Sequence, residues 1–328
     1  MNLAPPSSIK IDPDVVVGRG TFGTVYGCTV SDGTIPIVGK EVVTQDINSH
    51  LWAVNEVGVQ QYVHATFGCA PYIARVDYGP EPVRRNSPNR FYRVVTIYQE
   101  RLQTSLGAFI KHMIRNRFAS FSVTIDIIKV LLDRVAEEAK RFGETVSTPL
   151  VLHGDLTPDN VLLGMKLPHG RISMSEVQEQ VRTCRICIID YGYSALYSPG
   201  LRTRLSACYT RLRYHHTFPV WYDRAFFLFT SVGQIAQNTT CPVQTILRFL
   251  KPSWIAVEVF HAMVVENASK DVWQWVELWE PYFKEQALVL GKRLSAGLQQ
   301  EAPTISIPSE SHDPPAVVIS DRGVRGGQ

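Results

Sequence analysis

Apolar residues change their spacing about a third of the way along the chain, and the change divides it in two. Up to Tyr98 they fall in short runs broken by turn residues, as in Val15-Val16-Val17, Val25-Tyr26, Cys28-Thr29-Val30 and Ile35-Pro36-Ile37-Val38. Such runs read as β-strands. Tyr72–Tyr78 and Phe91–Tyr98 add two more strands, with a Pro- and Arg-rich turn over 80–90 between them. One helix interrupts the series over 49–64, capped by Ser49 or Asn48, with Leu51, Val54 and Val57 on one side and Gly58 weakening it. Beyond residue 99 the helical period dominates. Leu106–Ile114 and Val123–Phe142 read as helices, the second with Ile127, Ile128, Leu131, Leu132 and Val135 as its core stripe. Leu150-Val151-Leu152 and Arg185–Ile189 are short buried strands, and Ala225–Ile235 is an apolar helix. Further helices fall over 243–297, anchored by Trp254, Trp273, Trp275 and Trp279. Residues 1–13 read as a loosely ordered lead and 298–328, rich in Pro, Ser and Gly, as a disordered tail. The expectation is an α+β protein, with a small β-rich part over 14–98 and a mainly helical part over 99–297.

Composition narrows this little. With 328 residues, 45% hydrophobic and 19% charged, the chain has room for one large domain or two lobes. A net charge of +3 is too weak to suggest a nucleic-acid binder, so no direct nucleic-acid binding is expected. The longest apolar run, near Ala225–Ala236, is interrupted by Thr230, Ser231, Gly233 and Gln234 and is too short to span a bilayer. No apolar segment opens the chain, and six scattered cysteines read as reduced thiols of an intracellular protein. Cys184-Arg-Ile-Cys187 would be half of a zinc site, but no second pair stands at zinc spacing. On a strand, residues three apart also point to opposite faces.

Four stretches carry chemistry. Val17-Gly18-Arg19-Gly20-Thr21-Phe22-Gly23-Thr24-Val25 is G-x-G-x-x-G-x-V between two strands. Glycines there let backbone N–H groups approach an anion. A dinucleotide fold would need a helix directly afterwards, whereas here strand continues; taken alone, a plain glycine-rich hairpin is an equal reading. Lys40 ends the next strand. Glu56, sixteen positions on, lies on the helix and is the carboxylate suited to hold its ammonium; Glu41 points the other way. His153-Gly154-Asp155-Leu156-Thr157-Pro158-Asp159-Asn160 and Asp190-Tyr191-Gly192 supply a proton acceptor in Asp155 and oxygen donors for a hard cation in Asn160 and Asp190.

In this order, the set resembles the protein kinase superfamily: glycine loop, strand lysine, helix glutamate, H-x-D-x-x-x-x-N and D-x-G. The resemblance runs from about Val15 to about Leu294. It implies a bilobal fold, ATP and Mg²⁺ as cofactors, and transfer of the γ-phosphate to Ser or Thr hydroxyls of proteins. Asp155 would serve as base, Lys40 and Glu56 as the phosphate-contacting pair, Asn160 and Asp190 as metal ligands, and the hinge backbone near Glu100 and Leu102 as the adenine contact. Asp223 matches the position of a buried Asp that braces the catalytic loop, and it also reads as a helix N-cap.

The departures have meaning of their own. Gly154 stands where Arg is usual, Thr157 where many Ser/Thr kinases have Lys, and Tyr191 where Phe is usual. No A-P-E follows. A gap of 30 positions between Asn160 and Asp190 implies an insertion over about 165–182, partly helical near Ser175–Val181. These irregularities resemble the kinases of large DNA viruses, herpesvirus kinases in particular, which would place the protein in the host nucleus or cytoplasm, or in the virion. H-G-D also occurs in aminoglycoside phosphotransferases, so a small-molecule kinase is the alternative, along with a pseudokinase scaffold. Arginines 202, 204, 211 and 213 suggest acidic or already phosphorylated protein substrates. No membrane partner is expected.

Overall fold

The computed structural model describes residues 8–20, 23–31, 35–44, 47–79, 93–142, 150–169, 173–197 and 218–252. It is α+β, with a small antiparallel sheet in the N-terminal part and helices after it. Five strands form the sheet: β1 (Ile9–Gly20), β2 (Gly23–Val30), β3 (Ile37–Thr44), β4 (Ile73–Asp77) and β5 (Arg93–Glu100), in the order β1-β2-β3-β5-β4. The first strand starts at Ile9, inside the stretch expected to be a loose lead. Ile9 pairs with Val30 and is buried with Ile37 and Tyr98, so its apolar contacts recruit it to the sheet. Pro13 lacks an N–H for the ladder, and the register slips between Asp12 and Val16.

Helix α1 (Ile47–Phe67) crosses the sheet between β3 and β4 and is longer than the 49–64 expected. It has two kinds of neighbour. Ala53 and Val57 pack on Val42, Val95 and Ile97 of the sheet. Val59, Val63 and Phe67 belong instead to the large core of the helical part. One helix therefore joins both cores, because its buried face is longer than the sheet it covers.

After β5 come β6 (Thr104–Ser105), α2 (Leu106–Asn116) and α3 (Phe121–Arg141). Ser105 and Ser120 cap the two helices by accepting the N–H of Ala108 and of Val123. Ile127, Ile128, Leu131, Leu132 and Val135 are all buried in α3, as its periodicity predicts. Strands β7 (Leu150–Leu152), β8 (Val161–Leu163) and β9 (Ile186–Ile188) follow, with β10 (Ala195–Tyr197) pairing back on β7. The expected insertion contains α4 (Met174–Thr183), started by a full Ser173–Glu176 capping box. Val177 and Val181 bury its inner face, and Arg134 of α3 ties down its end by donating to the carbonyls of Val181 and Cys184. Helices α5 (Phe218–Ala236) and α6 (Val243–Leu250) complete the described core.

The start of α5 corrects one expectation. Asp223 lies inside the helix, past its first turn, so it is not an N-cap. The tryptophans beyond 252, the arginines of 202–213, the 80–90 turn and the 298–328 tail lie outside the described residues. Among the described residues, no helix is long and apolar enough to cross a membrane.

Candidate functional site

Strand pairing sets one wall. β2, β3 and β5 bring Val25, Lys40 and Ile97 into one row across the sheet. The adjoining hairpin of β1 and β2 closes at Gly20 and Gly23; Thr21 and Phe22, at its tip, lie outside the described residues. Its glycines differ in purpose. A Cβ on Gly23 would stand 2.1 Å from the Glu41 carbonyl oxygen, so hairpin packing alone demands glycine there. Gly18 has nothing within 4 Å of a Cβ, which leaves open space for a ligand's approach.

Lys40 is the centre of an ion triad. Its Nζ lies 2.5 Å from Glu56 Oε1 and 3.1 Å from Asp190 Oδ1. Three separate elements thus meet at one ammonium: β3, α1 and the turn after β9. Burial opposes the charge on Lys40, but the two carboxylates outweigh it, so its pKa is raised and it stays protonated. Burial raises the Glu56 carboxyl, with Lys40 opposing. Glu56 is 4% exposed, so α1 spends a buried charge on this contact. Asp190 has φ +65°, in the left-handed region that costs a non-glycine residue strain. That conformation aims its carboxylate at Lys40.

The opposite wall is made mostly of backbone. His153 is fully buried, and its Nε2–H donates to the Ile189 carbonyl at 2.9 Å. Its Nδ1 accepts the Asp155 N–H at 3.3 Å. Burial lowers the His153 pKa to about 4, so the ring is neutral and keeps that acceptor. Beneath it, Asp223 accepts the N–H of His153 at 2.7 Å and of Gly154 at 2.9 Å. This is the brace the resemblance implied for Asp223. Burial lifts the Asp223 pKa to about 7, against the pull of the two N–H donors. Gly154 has φ +80°, and a Cβ there would stand 2.7 Å from the Tyr193 carbonyl oxygen. Ser194 adds a hydroxyl donated to the His153 carbonyl at 3.0 Å.

Asn160 links the two candidate loops. Its amide NH₂ donates to the Asp155 carbonyl at 2.8 Å and to Asp155 Oδ2 at 3.2 Å. Its carbonyl accepts the Ile189 N–H at 2.9 Å, beside Asp190. With the NH₂ committed to Asp155, the side-chain oxygen of Asn160 is the end left for a cation. Asn160 and Asp190 therefore offer the oxygen donors that Mg²⁺ prefers. Among the described residues no cluster of three or more His, Cys, Asp or Glu forms a metal site, and Cys184 and Cys187 sit in different surroundings, Cys184 against Arg134 and Cys187 inside β9.

Where the chain leaves β5, the Glu100 N–H is used by the Tyr72 carbonyl and the Arg101 N–H by that of Pro36. The Glu100 carboxylate pairs with Arg185. These residues therefore anchor the chain as it leaves the sheet, and Leu102 follows as a half-buried residue.

Sequence reasoning passed over several residues that position this site. Gln60 donates its amide to Gln99 at 2.7 Å and to the Pro71 carbonyl at 3.2 Å, and both bonds are buried. Its place four residues after Glu56, on the same helix face, was a usable signal. Asn55 donates to the Ser194 carbonyl at 2.9 Å, tying α1 to the segment after Asp190-Tyr191-Gly192. Tyr191 is fully buried with its ring 5.0 Å from that of His153, and its hydroxyl has no partner among the described residues.

Neither the protein-family models nor the curated proteins contain a match to this chain.

Proposed function

We propose that the chain is an ATP-dependent protein kinase that transfers the γ-phosphate of Mg·ATP to Ser or Thr hydroxyls of proteins, in the divergent style of large DNA virus kinases. The observation that carries this reading is the Lys40 triad beside the Asp155–Asn160 contact. Residues 150 positions apart in sequence meet at one ammonium, and the cation donors Asn160 and Asp190 stand next to the candidate base. A plain glycine-rich hairpin would not need this convergence.

Phosphoryl transfer asks for positioning and charge stabilisation more than covalent help. The hairpin around Gly18 and Gly20 covers the phosphates. Lys40, oriented by Glu56, contacts the α- and β-phosphates. Asn160 and Asp190 would hold Mg²⁺, which would supply positive charge to offset that of the phosphates. Asp155 orients the acceptor hydroxyl and takes its proton.

A small-molecule phosphotransferase is the second reading, favoured by Gly154, whose left-handed backbone leaves no room for the Arg of H-R-D. A pseudokinase scaffold is less favoured, because Lys40, Asp155 and Asp190 are all present. The deciding experiment is transfer of labelled γ-phosphate to a protein mixture by wild type and by Asp155→Asn. Loss of transfer by about 10²–10⁴-fold in the variant is expected. Equal incorporation by both would reject the assignment of Asp155. No transfer by either, with ATP still raising the Tm, would move the reading to a scaffold or a small-molecule kinase.

A further inference from the structure

Cations in the helical part fall into two populations. On α3, each has a partner: Lys129 pairs with Asp133, Lys140 with Glu137 and Arg141 with Glu138, while Arg134 caps two carbonyls. Arg185 pairs with Glu100. On α2 and the loop beside it, no carboxylate answers. Lys111, Arg115, Arg117 and Lys166 are all exposed, and none forms an ion pair among the described residues. Arg115 gives its Nε to the neutral Asn238 side chain.

The sequence shows why. No Asp or Glu occurs between Glu100 and Asp126, or between Asp159 and Glu176. Folding then brings these two acid-free stretches together at His112. Its Nε2 contacts the Pro168 carbonyl at 2.7 Å, and its ring lies 5.5 Å from His169 and 5.4 Å from Phe118. Lys111 and Arg115 flank His112 on α2, Arg117 precedes Phe118 and Lys166 precedes Pro168 by two. Four like charges thus stand on α2 and the loop that meets it, without an ion-pair partner among the described residues, in a chain whose whole net charge is +3.

We infer that this face of α2 and the 164–169 loop docks an acidic segment of the protein substrate. The inference rests on the kinase reading, which it deepens, and on charge complementarity. Its position suits the role. Helix α2 begins against the candidate catalytic loop, where a Cβ on Gly107 would stand 2.1 Å from Asp159 Oδ1. At 1.5 Å rise per residue, Lys111 and Arg115 lie about 6 and 12 Å beyond Gly107 along the helix. An extended peptide covers the longer distance in about four residues. The exposed Asp159 carboxylate also favours a peptide over a nucleic acid. A phosphodiester backbone running on towards Asp155 would meet that charge, whereas a peptide can keep its acids on the α2 side.

The test uses the full chain and fluorescent peptides with one acceptor Ser, followed by four Glu or by four Gln. Binding is read by anisotropy without ATP at low salt, where screening is weak. Wild type is expected to bind the Glu peptide at least tenfold tighter than the Gln peptide. Lys111→Glu/Arg115→Glu/Lys166→Glu should abolish that preference and gain affinity for a Lys peptide, a gain that an unfolded variant would not show. Equal binding of both peptides by wild type, or an unchanged preference in the variant, overturns the inference. So does a single-stranded oligonucleotide that binds tenfold better than the Glu peptide and is lost in the variant, which would make this a nucleic-acid surface. Phosphate transfer to the Gln peptide is scored separately. Transfer without an acidic preference leaves the kinase reading standing and removes the docking face. An acidic preference without transfer removes the kinase reading and leaves an acidic-segment binding face.

Discussion

Lys40 and Asp155 stand on opposite walls of one candidate site and are held by different means. Lys40 is held by side chains: two carboxylates from two other elements reach it, and both bonds end on a flexible ammonium. Asp155 is held through backbone. Asp223 and Ser194 bind main-chain groups just before it, His153 Nδ1 accepts its own N–H, and Asn160 grips its carbonyl. The first arrangement rests on side-chain contacts alone, while α1 itself is packed on both cores. The second is continuous with the core of the helical part, and undoing it exposes buried N–H groups.

The strongest way to break this contrast is to remove the brace. Asp223→Ala orphans two buried N–H groups and is expected to cost about 3 kcal/mol or more, read as a lower denaturation midpoint at unchanged slope. The same carboxyl gives a pH signature. Its folded pKa, about 7, lies above the ordinary carboxyl value, so the folded protein holds a proton that the unfolded chain has released. Taken alone, Asp223 should therefore lower stability by on the order of 1 kcal/mol per unit as pH rises from about 4 to about 7, while His153, its pKa lowered to about 4, acts in the opposite direction up to its ordinary pKa near 6.5. The stability difference between wild type and Asp223→Asn isolates the Asp223 share and should fall across that window; a difference that stays flat with pH would take the titration away from Asp223.

Dismantling the other wall should behave differently. Lys40→Met leaves Glu56 buried without its partner, a loss of about 3 kcal/mol. Adding Glu56→Leu should return most of that stability while leaving phosphate transfer absent. If the double variant stays as unstable as the single one, the triad is structural and the contrast fails. Gly154→Ala tests the backbone wall more gently. The left-handed φ and the Tyr193 carbonyl should make it cost about 2 kcal/mol, measured by thermal unfolding. The smallest effect is expected for Tyr191→Phe. Removing a buried hydroxyl with no partner should be neutral or stabilising by about 1 kcal/mol. A clear loss would mean that the hydroxyl has found a bound water or ligand.

Much of this was readable in order along the chain. The Ile127–Val135 stripe marked α3 because helical spacing shows in local sequence, whereas on α1 only Val57 of the expected Leu51, Val54 and Val57 face is buried, Leu51 is exposed, and Ala53, Val59 and Val63 carry the packing. Lys40 and Glu56 were paired correctly because strand parity excludes Glu41 and one helix face presents Glu56. The insertion helix was placed near Ser175–Val181 because its cap and its two valines are local. Ile9 was misassigned to a loose lead, since its partners Ile37 and Tyr98 are far away in sequence. Asp223 read equally as an N-cap and as a brace, because the start of α5 depends on packing more than on any capping residue.

The sequence by itself determined which residue types were available and which face of each helix or strand would carry them, because periodicity is a property of neighbours. It determined the acid-free stretches 101–125 and 160–175 in the same way. Only the tertiary structure decided that those stretches share a surface at His112, that Gln60 meets Gln99, and that Asp190 turns its carboxylate to Lys40. Those contacts join residues tens to more than a hundred positions apart. They form because folding packs the elements that carry them side by side, where buried polar groups are costly without partners.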